Sequence, residues 1–281
     1  MGIKCKKGSY SMKNELFRIG PFVGYSYGLM IAIGVIAAFL VGEHRAKKKG
    51  LDADLIFPLA IWCLIGGILG AKILYYITIF PEIIANPAVL LDVINGFVVY
   101  GGIIFGILAG FLYTKKRKVN FWKYFDLVMP SIALAQGFGR VGCLMAGCCY
   151  GAETDSWFHI VFHDSSYGPN GVPLIPTQAI SSVLNFLHFF FLIWFARKER
   201  PAGQVAGLYL VCYSIGRFIL EFYRGDLERG SVGIFSTSQF ISLFLVVAGA
   251  AIFFAAPKMK GAFGGFGVTA DAKAENMQAE D

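Results

Sequence analysis

The chain has 281 residues, 56% of them hydrophobic and only 15% charged, with a mean hydropathy of +0.61. A soluble globular domain carries about 25% charged residues, so this composition excludes one and describes a polytopic membrane protein. The formal charge of +7 is not a nucleic-acid signature, because the basic residues cluster at the ends of apolar runs, where they determine topology.

Met1–Asn14 is polar and basic and is expected to be loose. Met1 to Gly20 has no short apolar core followed by a small-residue cleavage site, so no removable signal peptide is expected. Seven apolar runs follow, several reaching the ~20 residues that cross a bilayer. They cover about Tyr25 to Val41, Leu55 to Ile79, Gly96 to Tyr113, Phe125 to Ala146, Thr177 to Ala196, Gly203 to Tyr223 and Ser236 to Ala256. The fold expected is all-α, with about seven transmembrane helices over residues 17–256. A polar segment, 1–16, precedes them, and a disordered cytoplasmic tail, 257–281, follows.

The loops after spans 1, 3 and 5 hold most of the loop lysines and arginines, as in Arg45-Ala-Lys-Lys-Lys49, Lys115-Lys-Arg-Lys118 and Arg197-Lys-Glu-Arg200. The loops after spans 2 and 4 hold none. The positive-inside rule then places the C-terminus in the cytoplasm and the N-terminus outside, although Lys4, Lys6, Lys7 and Lys13 fall on the outer side. No internal repeat is evident, which tells against an inverted-repeat transporter.

The chemistry concentrates in two stretches. Gly137-Phe-Gly-Arg-Val-Gly-Cys-Leu-Met-Ala-Gly-Cys-Cys-Tyr-Gly151 places Arg140 inside an otherwise apolar or small-residue span. A guanidinium stays charged at any ordinary pH. At membrane depth it costs about 2.5–3.5 kcal/mol on insertion scales. The glycines around it allow a backbone or ligand to approach. Arg140 therefore reads either as an anion site between helices or as the partner of a carboxylate on a neighbouring helix.

The second stretch ends the sixth span. Arg217, Glu221 and Arg224 are four and three residues apart and share one helix face. On the topology above, this face and Arg140 reach similar depth and can meet in one cavity. Three arginines and one glutamate leave net positive charge, which suits a phosphate. The bland reading is a self-satisfied Arg217–Glu221 pair with Arg224 reaching the interface.

Further motifs run through the chain in order: Ile19-Gly-Pro21 with Tyr27-Gly28; Asn95-Gly96 with Tyr100-Gly101-Gly102; Gly139-Arg-Val-Gly142 with Gly147 and Tyr150-Gly151; Pro176-Thr-Gln178; Gly207-Leu208; Gly216-Arg217 with Glu221-Phe-Tyr-Arg224; and Gln239. With these residues the chain resembles the bacterial phosphatidylglycerol–prolipoprotein diacylglyceryl transferases over roughly residues 17–256. The resemblance implies a multi-pass enzyme of the bacterial cytoplasmic (inner) membrane. Such an enzyme moves the diacylglyceryl group of phosphatidylglycerol to the lipobox cysteine of a prolipoprotein and releases glycerol phosphate. Its partners are then phosphatidylglycerol, lipobox peptides and membrane lipids, with no nucleic acid. No metal and no organic cofactor is implied.

Under that resemblance Arg140 and Arg217 hold the phosphate and stabilise the leaving group, Glu221 orients Arg217, and Arg224 assists at the headgroup. Tyr27, Asn95 and Gln178 offer hydrogen bonds to the glycerol head, and Cys143 lies among the substrate-binding positions. Two other functions stay open beside transfer to a prolipoprotein: a relative that uses another acceptor, and a non-catalytic phospholipid-binding protein.

The chain departs from the family's usual pattern. Tyr100 stands where many members have histidine, Cys143 where asparagine is usual, and Ala146-Gly147-Cys148 where Asn-Gly-Glu is usual. A phenol with a pKa near 10 is a poor base at neutral pH, so the base for the thiol is unassigned among Tyr100, a cysteine and the substrate itself. The remaining cysteines, Cys5, Cys63 and Cys212, are scattered, and no disulfide scaffold is indicated. Cys143, Cys148 and Cys149 could be packing, an oxidised pair or a reactive thiolate. A metal site is not expected there, because His159 and His163 are the nearby imidazoles and no closed tetrahedral set is apparent.

Overall fold

Each of the seven apolar runs forms a helix in the computed structural model, which describes residues 10–11, 15–19, 22–92, 95–163, 165, 167–225 and 231–258. The helices are α1 (Ser26–Lys48), α2 (Ile56–Thr78), the short α3 (Phe80–Ala85), α4 (Val99–Lys116), α5 (Phe121–Ala146), α6 (Thr177–Phe195), α7 (Gln204–Glu221) and α8 (Thr237–Ala255). Among the described residues five segments are long and apolar enough to cross a membrane: Ser26–Lys48, Ala53–Thr78, Phe121–Ala146, Thr177–Phe195 and Thr237–Ala255. The third and sixth runs yield helices of 18 residues each. Their hydropathy is diluted by Lys115 and Lys116 in α4, and by Arg217 and Glu221 in α7.

The boundaries move for local reasons. α1 continues past Val41 through Lys48 because Arg45, Lys47 and Lys48 complement the negative end of the helix dipole. α4 starts three residues later than expected, since Gly96 is left-handed (φ 76°) and occupies the turn before it. α5 gains a turn at its start, where the Asn120 side chain accepts a hydrogen bond from the Lys123 N–H at 3.2 Å.

Short strands join the helices, which an all-α reading does not include. β1 (Tyr10–Ser11) runs parallel to β4 (Ile160–His163), and β4 pairs antiparallel with β5 (Pro173–Leu174). Two hairpins complete the set: β2 (Glu15–Ile19) with β3 (Phe22–Tyr25), and β6 (Ser231–Val232) with β7 (Phe235–Ser236). So part of the N-terminal segment expected to be loose is a strand. The tail expected to be disordered and cytoplasmic lies, from 259 onward, outside the described residues.

The described residues divide into two units, 10–41 with 125–258, and 42–124. In the second unit α2 and α4 approach through glycines. A Cβ on Gly70 would lie 2.6 Å from the Gly101 carbonyl, and one on Gly66 would lie 2.6 Å from the Ala109 Cβ. Small residues replace the hydrophobic driving force that a lipid environment does not supply.

The first unit uses the same device. A Cβ on Gly137 would meet the Phe186 ring at 2.6 Å, and the Ser182 hydroxyl on α6 donates to the Gly137 carbonyl of α5 at 3.0 Å. A Cβ on Gly207 of α7 would lie 2.7 Å from the Gly249 carbonyl of α8. The buried core here gathers Met129, Ala133, Leu192, Val205, Ala206 and Tyr209. Asp126, also buried, accepts from the backbone N–H groups of Gly203 and Ala206, both at 2.8 Å. Its carboxylate thus satisfies the orphan donors at the α7 N-terminus, where negative charge is favoured. Large apolar side chains such as Ile36, Leu187, Phe190, Val247 and Phe254 face outward, as a lipid-embedded surface requires.

Candidate active site

Arg140 lies six residues before the end of α5, and Arg217 four before the end of α7. At 1.5 Å per residue these are depths of about 9 and 6 Å. The two helix ends are tied together by backbone. Gly151 bridges Arg224, the Ala152 N–H donates to the Tyr223 carbonyl at 2.9 Å, and the Gly225 N–H donates to the Tyr150 carbonyl at 3.2 Å. A Cβ on Gly225 would lie 2.5 Å from the Gly151 carbonyl, so only glycine allows this approach. The two arginines are therefore level with one another, and both line a cavity of about 280 Å³ between α5, α6 and α7. The α6 wall of that cavity presents Ser181, Asn185, His188 and Phe191. Those positions recur on one helix face and span about 15 Å along its axis.

Arg217 is held by the protein. Its Nη1 pairs with Glu221 Oε2 at 2.7 Å, and its Nη2 donates to the Ser238 hydroxyl at 3.0 Å. Glu221 in turn accepts from the Ser236 hydroxyl at 3.1 Å. Ser236 is the N-cap of α8. Its oxygen accepts from the Gln239 N–H at 3.1 Å, while its own N–H donates to Gln239 Oε1 at 3.0 Å, a capping box. Arg140 differs: among the described residues no carboxylate or other acceptor pairs with its guanidinium, although Gly139 and Gly216 leave open space around the cavity. The charges of Arg140 and Arg224 both act on Arg217, so the three arginines form one electropositive group.

Cys143, Cys148 and Cys149 are thiols, and their sulfurs lie within 4.8 Å of one another. The convergence depends on two left-handed residues, Gly147 at φ 71° and Cys149 at φ 62°. For cysteine that conformation costs roughly 1–3 kcal/mol and persists only where the surroundings impose it. Here the start of α6 imposes it: the Gln178 amide donates to the Cys148 carbonyl at 2.8 Å, and the Thr177 hydroxyl to the Cys149 carbonyl at 3.0 Å. Hydrogen bonds with the Cys143 and Cys148 thiols hold the Cys149 thiol below the ordinary thiol range; burial opposes this and Arg224 adds to it.

The other expected site residues separate into two groups. Tyr27 packs against Gly142 on α5, where a Cβ would lie 3.0 Å from its ring, and it feels the charges of Arg140 and the cysteines. Gln178 is buried, with its amide nitrogen on the cysteine turn and its Oε1 without a partner among the described residues. Asn95 and Tyr100 belong to the second unit. The Asn95 amide nitrogen donates to the Asp92 carboxylate at 3.1 and 3.2 Å, within its own turn. Tyr100 stands in the first turn of α4 and is 36% exposed. The His159 Nδ1–H donates to the Ser156 carbonyl at 2.7 Å, within its own turn, as a polar loop residue.

His188 and Lys72, which no motif in the sequence singles out, are prominent in the structure. His188 lines the cavity, its ring stacked on Tyr209 at 5.2 Å, and its Nε2 is buried without a partner among the described residues. The signal available for it was the polar stripe Ser181, Asn185, His188 in an apolar run. Lys72 of α2 donates to the carbonyls of Asp92 and Asn95, both at 2.5 Å, and sits 4.8–5.2 Å from the rings of Tyr75, Tyr76 and Phe97. It anchors the turn before α4 with its charge covered by aromatic faces. A lone lysine three and four residues before two tyrosines was its trace in the sequence.

A family model described as prolipoprotein diacylglyceryl transferase matches residues 14–255. A phosphatidylglycerol–prolipoprotein diacylglyceryl transferase of Clostridium tetani is 49% identical over 242 residues, 86% of this chain and 97% of that protein. A second such protein, of Clostridium perfringens, is 49% identical over 80% of this chain and 88% of its own length. One of Dehalococcoides mccartyi is 32% identical over 82% of this chain and 88% of its own.

Proposed function

The chain belongs to the prolipoprotein diacylglyceryl transferase family, and from that premise we propose how its residues divide the work of the reaction. The enzyme transfers the diacylglyceryl group of phosphatidylglycerol to a prolipoprotein cysteine and releases glycerol phosphate. In that transfer the cysteine sulfur attacks a glyceryl carbon, a C–S bond forms, and the C–O bond to phosphate breaks with its electron pair left on the phosphate oxygen. The charge that develops there is what the site must stabilise.

Arg140 carries this reading. A permanent cation in an apolar helix, with no counter-ion among the described residues and a cavity in front of it, is matched by an anionic ligand. Arg140 binds the phosphate directly. Arg217, oriented by Glu221, meets it from the opposite helix, and Arg224 draws the headgroup toward the mouth. Tyr27 offers a hydrogen bond to the glycerol head, and Cys143, three residues after Arg140 on α5, is a further substrate-binding position. Gln178 acts through the turn it holds. Tyr100 contributes a hydrogen bond rather than proton abstraction. The α6 face from Ser181 to Phe191 runs long enough to take part of an acyl chain.

In the same proposal the seven helices all span the bacterial inner membrane as one domain over residues 17–256, with the N-terminus outside and the C-terminus in the cytoplasm. The acceptor is then a lipobox peptide that arrives at the outer face, while the lipid enters sideways from the surrounding bilayer lipids. Detergent-purified protein, incubated with phosphatidylglycerol and a lipobox peptide bearing one cysteine, tests the assignment through glycerol phosphate release. Arg140→Ala is expected to lower release by about 10²–10³-fold. Tyr100→Phe should lower it only about 2- to 10-fold, the worth of one hydrogen bond. A loss with Tyr100→Phe as deep as that of Arg140→Ala would make the phenol the base; full activity in Arg140→Ala would remove the phosphate role.

A further inference from the structure

We propose that Cys143, Cys148 and Cys149 form a binding site for a thiophilic divalent cation, Zn2+, whose fourth coordination position takes the thiol of the incoming prolipoprotein. The proposal rests on the transferase reading above for the identity of that fourth ligand, and on geometry for the site itself.

Three sulfurs gathered within 4.8 Å of one another are close to what a single tetrahedral ion requires. With Zn–S bonds of about 2.3 Å, sulfurs on a tetrahedron stand about 3.8 Å apart, so closure needs movements of about 1 Å or less per pair. The spacing is not that of a helix. Cys143 is still on α5, and the chain must turn through two left-handed residues, Gly147 and Cys149, to bring the next two sulfurs back to it. That turn is fixed from outside the cluster, by Thr177 and Gln178 on the carbonyls of Cys149 and Cys148 and by the Gly151 N–H on the Ile175 carbonyl at 3.1 Å. A closed structural zinc site has four protein ligands; a reactive one keeps three and leaves a position open. Among the described residues the cluster has three and no more.

The surroundings fit an anionic centre. A Zn2+ ion with three thiolates carries one net negative charge, and two once a substrate thiolate has joined it. Arg224 reaches Cys149, and the Arg140 charge acts on Cys143, so this excess has cationic neighbours. The same arginines are those assigned to the lipid phosphate. The nucleophile and the leaving group would thus be held on opposite sides of one electropositive group. A thiol that coordinates zinc is deprotonated outright, its proton passing to solvent. The coordinated sulfur then forms the C–S bond as the phosphate ester C–O bond breaks, and the zinc ion is unchanged at the end. No side chain is then needed as base, which accords with a phenol at position 100.

Metal content and the cobalt spectrum of the detergent-purified full chain test this without reference to turnover. After exhaustive dialysis and reloading with Zn2+, mass spectrometry for metal is expected to give one ion per chain. Reloading with Co2+ should produce sulfur-to-cobalt charge-transfer absorption. Cys143→Ser and Cys149→Ser should each lose most of that absorption, while Cys63→Ser, on α2, should retain it. A melting curve for each variant separates loss of the site from loss of the fold, and the double variant Cys148→Ser/Cys149→Ser provides a second reading if one single variant is unstable. A lipobox peptide should shift the cobalt band, and its cysteine-to-serine counterpart should not. Less than about 0.2 ion per chain in folded wild type, or a band that survives Cys143→Ser and Cys149→Ser, overturns the site. A band indifferent to the cysteine peptide overturns the open fourth position. If metal binds as expected but phosphatidylglycerol yields no glycerol phosphate in any preparation, the transferase reading fails and the metal site stands. Full glycerol phosphate release from protein shown to be metal-free separates the two the other way.

Discussion

Arg140 and Arg217 share one cavity and are treated in opposite ways by the protein around them. Arg217 is embedded in a chain of contacts that runs from Glu221 to Ser236 and on to the capping box of α8. Its charge is neutralised before any ligand arrives. Arg140 rises from a helix whose neighbours in sequence are glycine and valine, and nothing among the described residues neutralises it. The two side chains are therefore suited to different work. A paired arginine is rigid and keeps its place whether or not substrate is bound. An arginine without a counter-ion stores an unfavourable charge that an anionic lipid relieves, so its binding energy is available to the ligand.

The comparison predicts separate signatures. Arg140→Ala should give the largest loss of activity, about 10²–10³-fold, with little loss of stability, because no hydrogen bond or ion pair among the described residues goes with it. Its melting temperature without lipid should match or exceed that of wild type. Added phosphatidylglycerol should raise the wild-type melting temperature through linkage and leave that of the variant nearly unmoved. Glu221→Gln should invert the pattern. It strips the counter-ion from a guanidinium whose side chain is only 14% exposed. Breaking a buried pair costs about 3–5 kcal/mol, reduced here to about 2–3 because the cavity hydrates one side. Denaturation in detergent and the turnover assay together read this: stability falls first, and activity falls by less than in Arg140→Ala. Equal stability losses in the two variants would erase the distinction between the arginines.

Much of this arrangement was legible in the sequence, since charge in an apolar run is rare enough to point at itself. Arg140, Arg217 and Glu221 were each visible that way, and helical spacing put the last two on one face. What stayed hidden depends on the chain's return from elsewhere. Asn95 gives its amide nitrogen to Asp92 in a turn that its sequence context does not announce. Gln178 gave its amide to a carbonyl thirty residues away in sequence. The three sulfurs meet because Cys149 adopts a φ of 62°, which no pattern of residue types announces. The two-residue strands carry too short a period-2 signal to be read, and are fixed by pairing with partners as distant as β1 is from β4.

Ser236→Ala is the finest probe of the comparison, because it touches neither arginine. The hydroxyl caps α8 and donates to Glu221, so its removal should cost about 1 kcal/mol through the cap and leave one Glu221 oxygen without its donor. Glu221 then holds Arg217 less firmly in direction while the ion pair itself survives. A guanidinium that wanders misplaces the phosphate in the transition state more than it weakens binding of the lipid, since Arg140 still supplies that charge. The expected outcome is a fall in kcat of a few-fold, about the effect of one hydrogen bond, with KM for phosphatidylglycerol nearly constant. Ser236→Thr keeps the hydroxyl and should retain kcat. A rise in KM with kcat unchanged would mean that Arg217 contributes to lipid capture in the ground state, and the two arginines would then differ in support but not in role.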